Sequence, residues 1–411
     1  MLDVVGIGLN AIDYLVRVPR FPVPGEKLRM SDFAREGGGQ VATALVALSR
    51  WGCRCKYVGN VGDDEHGRLS SRLLSREGVD LAHLRTVPGA SSQFAVILVE
   101  EETGERTILW DRDPRIRVSP EDLPLDDIRR ARALLLDGHD VLPAIAAART
   151  ARAAGVPVVL DAEKVQEGTE ELLSLCDHIV AAGHFPGMLL PGASAEDGAR
   201  EILRRYAPRT STVTLGPRGA FGCDGREEIF SPSIPVEAVD TTGAGDIFHA
   251  GFLYALLEGL PFREILAFAN TAAGLSCRGM GGRAAIPTIE AIRAAGASPG
   301  RLERGGLMAC TSTPEGTETI RHRIRTLLEA GPLTAKEISS AVRRPEKEIA
   351  NHLEHLKKSL HPEGRLLSQV PAECRGCGFV FRKRERLKAP SRCPVCKGEA
   401  ISDPAFRVED K

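Results

Sequence analysis

Short apolar runs alternate with helix-patterned stretches along the first three quarters of this chain, and that alternation limits the folds open to it. Residues 2–9 (Leu-Asp-Val-Val-Gly-Ile-Gly-Leu) form an apolar run ending in a glycine turn, and further runs occur at 133–137, 156–161, 178–182 and 211–215. Helical stretches separate them, among them 41–50, 66–77, 143–154 and 195–206. Runs that are apolar throughout suit strands covered on both faces, so the pattern predicts a mostly parallel sheet flanked by helices. Residues 13–33 and 93–112 break the rhythm by alternating apolar with polar. They read as antiparallel ribbons of a small sheet projecting from the main body.

The pattern fades after Ile286-Pro287, and residues 296–318, rich in Gly, Ser, Thr and Pro, read as a linker. Charge divides the chain in the same region. Residues 310–411 carry 20 Lys+Arg against 14 Asp+Glu, whereas residues 1–309 carry 34 against 41. An acidic body with a basic tail suggests two jobs and gives the tail a polyanionic partner. No apolar run approaches the roughly 18 residues of a membrane span, and the N-terminus lacks a basic-then-apolar leader pattern. Ten cysteines in 411 residues do not make a disulfide scaffold, so the expectation is a soluble protein of the reducing cytosol, with no membrane partner.

Asp240-Thr-Thr-Gly-Ala-Gly-Asp246 runs directly into the helix-forming Ile-Phe-His-Ala-Gly-Phe-Leu-Tyr-Ala-Leu-Leu. Gly243, Ala244 and Gly245 therefore fall at a helix start, where unpaired N–H groups and the positive end of the dipole can receive an anion such as phosphate. Asp246 beside a bound phosphate is costly unless its charge does chemistry, and taking a proton from an attacking hydroxyl is that chemistry. Gly6-Ile-Gly-Leu-Asn-Ala11 fits a dinucleotide-binding fingerprint, but the chain continues β-rich and proline-broken where a helix is required, and the fingerprint fails.

The 240–246 segment resembles the C-terminal signature of the PfkB, or ribokinase-like, carbohydrate kinases. Glu36-Gly-Gly-Gly-Gln-Val-Ala-Thr-Ala resembles that family's glycine-pair signature, and Val213-Thr-Leu-Gly-Pro-Arg-Gly-Ala its nucleotide-binding loop. The likeness spans about residues 1–290, in the family's order. It implies a three-layer α/β/α sandwich with a small β lid (about 13–33 and 93–112), and transfer of the ATP γ-phosphate to a sugar hydroxyl with Mg2+ present. It also admits a monovalent cation and a homodimer through the lid. Carried over residue by residue, Asp246 is the general base and Gly243, Ala244 and Gly245 form the anion hole. Asn10, Asp13, Gly37, Gly38 and Gly39 face the sugar, and Thr214, Gly216, Gly219 and Asn270 approach ATP. A carboxylate such as Asp13 can accept from two adjacent hydroxyls at once. Lys27 and Arg112 are candidates for an anionic substituent on the sugar. Ser91-Ser-Gln, Asp246-Ile-Phe-His and Gly281-Gly-Arg-Ala-Ala-Ile-Pro look like the branch containing sulfofructose kinase and ketohexokinase, which points to a ketose. One departure concerns Ala182-Gly-His-Phe-Pro, which lacks the magnesium-side glutamate of many members and shifts that duty to phosphates, water, or Asp161 and Glu163. It also keeps open a second reading, a sugar-responsive regulator whose kinase-like domain is a sensor.

In the tail, Cys374-x2-Cys377 and Cys393-x2-Cys396 are 15 residues apart. Two such knuckles can supply four thiolates in a tetrahedron, a closed structural zinc site for which iron is the chemical alternative. Ahead of it, Ile320, Ile324, Leu327 and Leu328 stripe one helix, Thr334 with Glu337 boxes the start of a second over Ala335–Val342, and Ile349, Leu353, Leu356 and Leu360 stripe a third. The third helix would present Lys347, Asn351, His352, His355 and Lys358 outward. With residues 361–370 as a wing, 319–370 predicts a winged helix-turn-helix, followed by a zinc ribbon over 371–411. The tail resembles small predicted regulators of that composition, implying duplex DNA as partner and phosphate contacts from Phe379–Lys388. A protein-binding three-helix module is the alternative.

Overall fold

The computed structural model describes residues 2–101, 104, 106–296, 320–342, 365–381 and 390–410, together with 349, 352–353, 356–357 and 360. It divides into two compact units, residues 1–305 and 306–411.

Unit 1 is built on a nine-stranded sheet, mixed only at one edge. Seven strands run parallel: β1 (Val4–Ile7), β4 (Cys55–Gly62), β5 (Asp80–Val87), β8 (Ala133–Leu136), β9 (Val158–Ala162), β10 (His178–Ala181) and β11 (Thr210–Thr214). Antiparallel β12 (Ala220–Cys223) and β13 (Glu228–Ser231) complete the order β13-β12-β11-β10-β9-β8-β1-β4-β5. Successive residues of the central strands feed opposite cores, which is why those strands read as continuous apolar runs. Val4, Leu135, Val159 and Val180 pack with α1 (Gln40–Arg50), α8 (Ala244–Leu257) and α9 (Phe262–Ser276), where Leu74 of α2 (Glu65–Arg76) and Ile292 of α10 (Ile289–Ala294) join. Val5, Leu134, Leu136, Leu160 and Ile179 pack against the other layer: α3 (Leu125–Arg130), α4 (Val141–Ala153), α5 (Thr169–Leu175), α6 (Phe185–Leu189) and α7 (Ala195–Tyr206). The expected three layers are present, and the expected runs and helices occupy their places within one or two residues.

A second sheet of four strands, in the order β3-β2-β6-β7, forms the lid. β2 (Ala11–Val18) pairs antiparallel with β3 (Asp32–Gly38) and parallel with β6 (Phe94–Glu100), which pairs antiparallel with β7 (Arg106–Asp111). The first ribbon therefore returns later than its sequence pattern suggested, along residues 32–38, and delivers the glycines of β3 straight to the start of α1. β2 follows Gly6-Ile-Gly-Leu-Asn as a strand, in keeping with the failed dinucleotide fingerprint.

In unit 2, α11 (Ile320–Ala330) and α12 (Ala335–Val342) pack with Ile349, Leu353, Leu356 and Leu360. Thr334 and Glu337 form the expected capping box, with Glu337 N–H donating to Thr334 Oγ1 and Thr334 N–H to Glu337 Oε2. Residues 365–370, within the expected wing, form β15 (Arg365–Val370), which pairs along its whole length with β16 (Ala405–Asp410), the middle strand of a β14-β16-β15 sheet with β14 (Leu333–Thr334). Phe406 and Val408 of β16 lie in the core of the helices. The sequence pattern could not show this pairing, because it joins residues that flank the zinc knuckles. Lys347, Asn351, His355 and Lys358, residues 382–389 and most of the 296–318 linker lie outside the described residues.

Candidate active site and zinc centre

Strand order reverses between β1 and β8. From β1 the chain proceeds outward to β4 and β5, whereas β8 to β11 run the other way, opening a crevice at the carboxyl ends of the strands. Asp137, just past β8, spans that crevice by accepting from Leu9 N–H at 2.5 Å and His139 N–H at 3.0 Å. The loop after β1, the β3–α1 junction and the start of α8 are the elements that carry the expected site.

Gly243 begins α8 with φ 74°, and a Cβ there would lie 2.5 Å from Gly282 Cα, so the turn needs glycine for conformation and for space. No side chain caps the helix, which leaves its first amides without a side-chain acceptor. Buried Asp240 builds the turn from behind: Oδ1 accepts from Thr242 N–H (2.8 Å) and the Thr242 hydroxyl (2.7 Å), and Oδ2 from Gly281 N–H (2.8 Å). From the lid, Arg106 Nη1 donates to Thr241 Oγ1 at 2.6 Å.

Asp246 lies half-buried in the first turn of α8 and makes no hydrogen bond or ion pair among the described residues. Desolvation, reinforced by the Asp161 charge, pushes its carboxyl well above the ordinary aspartate range. Asp13 is pushed up to about 6, chiefly by burial, against the opposing pull of the Arg283 guanidinium. The carboxylate faces Gly38, where a Cβ would overlap it. Asn10 is buried with both side-chain polar atoms unpartnered. Buried amides are normally satisfied, so this side chain has donor and acceptor capacity left over.

Several residues of the site escaped sequence reasoning. Gln40 links two layers: its Oε1 accepts from His139 Nε2 (2.7 Å) and its Nε2 donates to Asp161 Oδ2 (3.1 Å). His249 Nδ1 donates to the Gly245 carbonyl (2.7 Å), while Nε2 lies 3.2 Å from the Val180 carbonyl and 3.3 Å from Asp161 Oδ1. Burial raises Asp161 well above its usual value and depresses His249. Glu163 is lowered by its hydrogen bond with His139. Arg283 is fully wrapped and reaches the underside of the glycine junction. Its only sequence signal was a basic residue directly after a glycine pair.

Other expected residues are placed as follows. Thr214 ends β11, and Gly216 and Gly219 form the turn after it, with φ 58° and 104°. Asn270 is buried on α9 and donates to the Ser231 carbonyl (2.8 Å) and hydroxyl (2.9 Å), so its amide nitrogen holds β13. Lys27 is exposed in the β2–β3 connection. Arg112 forms a bidentate pair with Asp140 at 3.0 and 2.7 Å. Its guanidinium fork is thus engaged at the start of α4.

The pfkB family carbohydrate kinase profile matches residues 1–289. The chain belongs to that family. A ribokinase of Haemophilus influenzae is 30% identical over 297 residues, covering 70% of this chain and 96% of that one. An ATP-dependent ribose-1-phosphate kinase of Halopiger xanaduensis is 31% identical over 296 residues, covering 72% and 98%. Arabidopsis thaliana ribokinase complexed with ribose and ATP superposes with a TM-score of 0.60 at 26% identity, over 72% of this chain and 99% of that one. As a pfkB carbohydrate kinase the chain is a phosphotransferase acting on a sugar hydroxyl, and ATP and Mg2+ are its family's reagents. The ketohexokinase branch is not distinguished by these likenesses.

The tail matches two further profiles, described as PF0610-like, N-terminal (residues 319–368) and as PF0610 rubredoxin-like zinc beta-ribbon domain (residues 371–411). The Sγ atoms of Cys374, Cys377, Cys393 and Cys396 all lie within 4.8 Å of one another, the one such ligand cluster among the described residues. Cys374 and Cys396 are 3.5 Å apart and Cys377 and Cys393 3.6 Å. A tetrahedron with Zn–S arms of about 2.3 Å has edges of about 3.8 Å, so the four thiols fit structural zinc and leave no open position. Gly378, with φ 72°, donates its N–H to the Cys374 carbonyl at 2.8 Å and turns the first knuckle, and Lys397 does the same for the second at 3.0 Å.

Proposed function

We propose that this carbohydrate kinase transfers the γ-phosphoryl group of ATP to a hydroxyl of a small, uncharged sugar, and that a ketose is the preferred acceptor. The observation that carries the reading is an unpaired Asp246, held well above the ordinary aspartate range, in the first turn of an uncapped helix, with Asp13 close enough for its charge to act on it and the unpartnered Asn10 amide just before β2. Asp13 and Asn10 accept and donate to sugar hydroxyls and fix the acceptor. Asp246 takes the hydroxyl proton as the oxygen attacks phosphorus, and the Gly243–Asp246 amides stabilise charge on the transferring group. Thr214, Gly216 and Gly219 line the nucleotide side. The lid excludes water, the competing acceptor.

Asp161 and Glu163, with bound phosphates, would hold Mg2+, which when present neutralises phosphate charge. The carboxylates make no three-ligand cage, which suits a cation that keeps waters and takes one or two carboxylates plus phosphates. With the Arg112 fork occupied, support for an anionic acceptor falls to exposed Lys27. The five described cysteines outside the zinc knuckles, Cys53, Cys55, Cys176, Cys223 and Cys277, form no disulfide, which supports a reducing, cytoplasmic setting. The decisive experiment measures ADP release against ketoses, D-ribose, acid sugars and nucleosides. ADP release with a neutral sugar, lost in Asp246→Asn, is expected; no acceptor-dependent release by folded protein would overturn the reading.

For the tail we propose duplex DNA as partner, supported by its basic balance and by the helical core preceding the zinc knuckles. Salt-sensitive retardation of a DNA duplex by the full chain is expected, and no binding at low salt would leave an assembly role instead.

A further inference from the structure

The β2–β3 register sets Asp13 directly opposite Glu36. Two carboxylates facing each other across an antiparallel pair repel, and here a partly buried setting strengthens the repulsion. Asp240, from the loop before α8, adds a third negative charge that acts on Asp13, and Asp246 on α8 interacts with Asp13 in turn. Arg50 also acts on Glu36, but the cation that acts on Asp13 is Arg283, from the loop between α9 and α10, which is 6% exposed. Its Nη2 donates to the Gly38 carbonyl at 2.7 Å and its Nε to Thr43 Oγ1 at 3.2 Å, while Nη1 lies against Gly37 with no partner. The loop carrying it is fastened at both sides: Arg50 Nη1 donates to the Arg283 carbonyl (2.7 Å) and Trp51 Nε1 to the Pro287 carbonyl (2.8 Å).

We propose that Arg283 is the positioning residue for the sugar-gripping carboxylate: its guanidinium offsets the Glu36 and Asp240 charges that face Asp13, and its bond to Gly38 fixes the floor against which Asp13 lies. The inference rests on the sugar-kinase reading for its meaning, but not for its test. Burial lowers Arg283 to about 10, which leaves it protonated at neutral pH. The same burial already brings Asp13 to about 6 in the presence of that cation. Without it, a large fraction of Asp13 would be protonated under ordinary conditions and would lose one of its acceptor oxygens.

The test titrates Asp13 in the full-length protein by carboxyl-13C NMR of aspartate-labelled chain, with Asp13→Asn identifying the resonance. Arg283→Gln should raise the Asp13 midpoint by about one pH unit or more. Arg283→Lys, which restores charge without the fork, should recover most of that shift, and Glu36→Gln should lower the midpoint. Where a sugar turns over, KM for that sugar in Arg283→Gln should rise more at about pH 6 than at about pH 8, with kcat changed less. Thr43→Val, which removes a bond to Arg283 but no charge, should leave the midpoint in place. An Asp13 midpoint unmoved in folded Arg283→Gln, or in Glu36→Gln should the former not fold, overturns the proposal. A wild-type protein that phosphorylates no sugar sinks the kinase reading, while the titration still judges Arg283.

Discussion

Replacing Gly38 by alanine probes the proposed sugar pocket without removing any charged group. Gly38 is not among the positive-φ glycines, so alanine brings no left-handed strain. Its Cβ, however, would sit 2.5 Å from Asp13 Oδ1 and closer still to Oδ2, inside van der Waals contact of both. Either the carboxylate swings away or β3 shifts, and each displaces the acceptor atoms from the sugar hydroxyls. Hydrogen bonds to a charged group contribute about 1.5–3 kcal/mol each, so losing one corresponds to a fall of about 10- to 150-fold in kcat/KM for the sugar. KM for ATP should move little, because the nucleotide-side residues belong to β11 and the turn after it. Steady-state kinetics with sugar and ATP varied in turn, beside a thermal melt, separate the outcomes. Gly39→Ala is the contrasting control: with φ 88° and a Cβ 2.6 Å from the Asn10 Cα, it should cost stability outright. A Gly38→Ala protein with unchanged sugar KM, or with a defect confined to ATP, would refute the placement of Asp13 in the acceptor pocket.

Asp246→Asn should lower kcat by about 10²–10⁴ with little change in melting temperature; activity within tenfold of wild type would remove Asp246 as base. Because Asp246 is raised and must be ionised to accept a proton, kcat/KM should fall as pH drops through its elevated range, an acid limb visible well above the ordinary aspartate pKa. Asp13→Asn should uncouple stability from function. Asp13 has a folded pKa of about 6 against an ordinary 3.8, so the folded state holds its proton more tightly and the penalty for its charge appears as pH rises from about 4 to about 6. Above that window the variant should melt higher than wild type while losing sugar affinity, and a lower melting temperature would count against this sign. Finally, zinc removal by a strong chelator, or Cys374→Ser, should unfold the ribbon and its strand pairing. Metal analysis should give one zinc per chain before treatment, and sugar phosphorylation should persist, since the four ligands all belong to unit 2.

Much of unit 1 was visible in the sequence because parallel strands buried on two faces leave uninterrupted apolar runs, and β1 and β8–β11 show them. The start of α8 was legible for a different reason: two glycines and an alanine between aspartates serve few purposes besides anion binding. What escaped notice depends on contacts remote in sequence. Arg283 meets Gly38 and Thr43 across some 240 residues, and nothing near position 283 announces Asp13. Arg112 looked like a free cation because its partner, Asp140, lies in a different element. Gln40 gave no signal of its own in the sequence, because the His139 and Asp161 side chains it joins lie about 100 and 120 residues further on. The neighbour of the 365–370 strand was hidden in the same way, since both zinc knuckles separate the two in sequence.

That neighbour has a consequence for biogenesis. The central strand of the tail sheet is its last in sequence, so β15 has no partner until the ribosome has polymerised both knuckles and residues 405–410. The sheets and flanking helices of the kinase unit are encoded within the first 305 residues and can collapse as soon as those emerge. Metal capture and tail closure therefore come late, so a cell short of zinc should accumulate chains whose first 305 residues are folded and whose tail is unfinished.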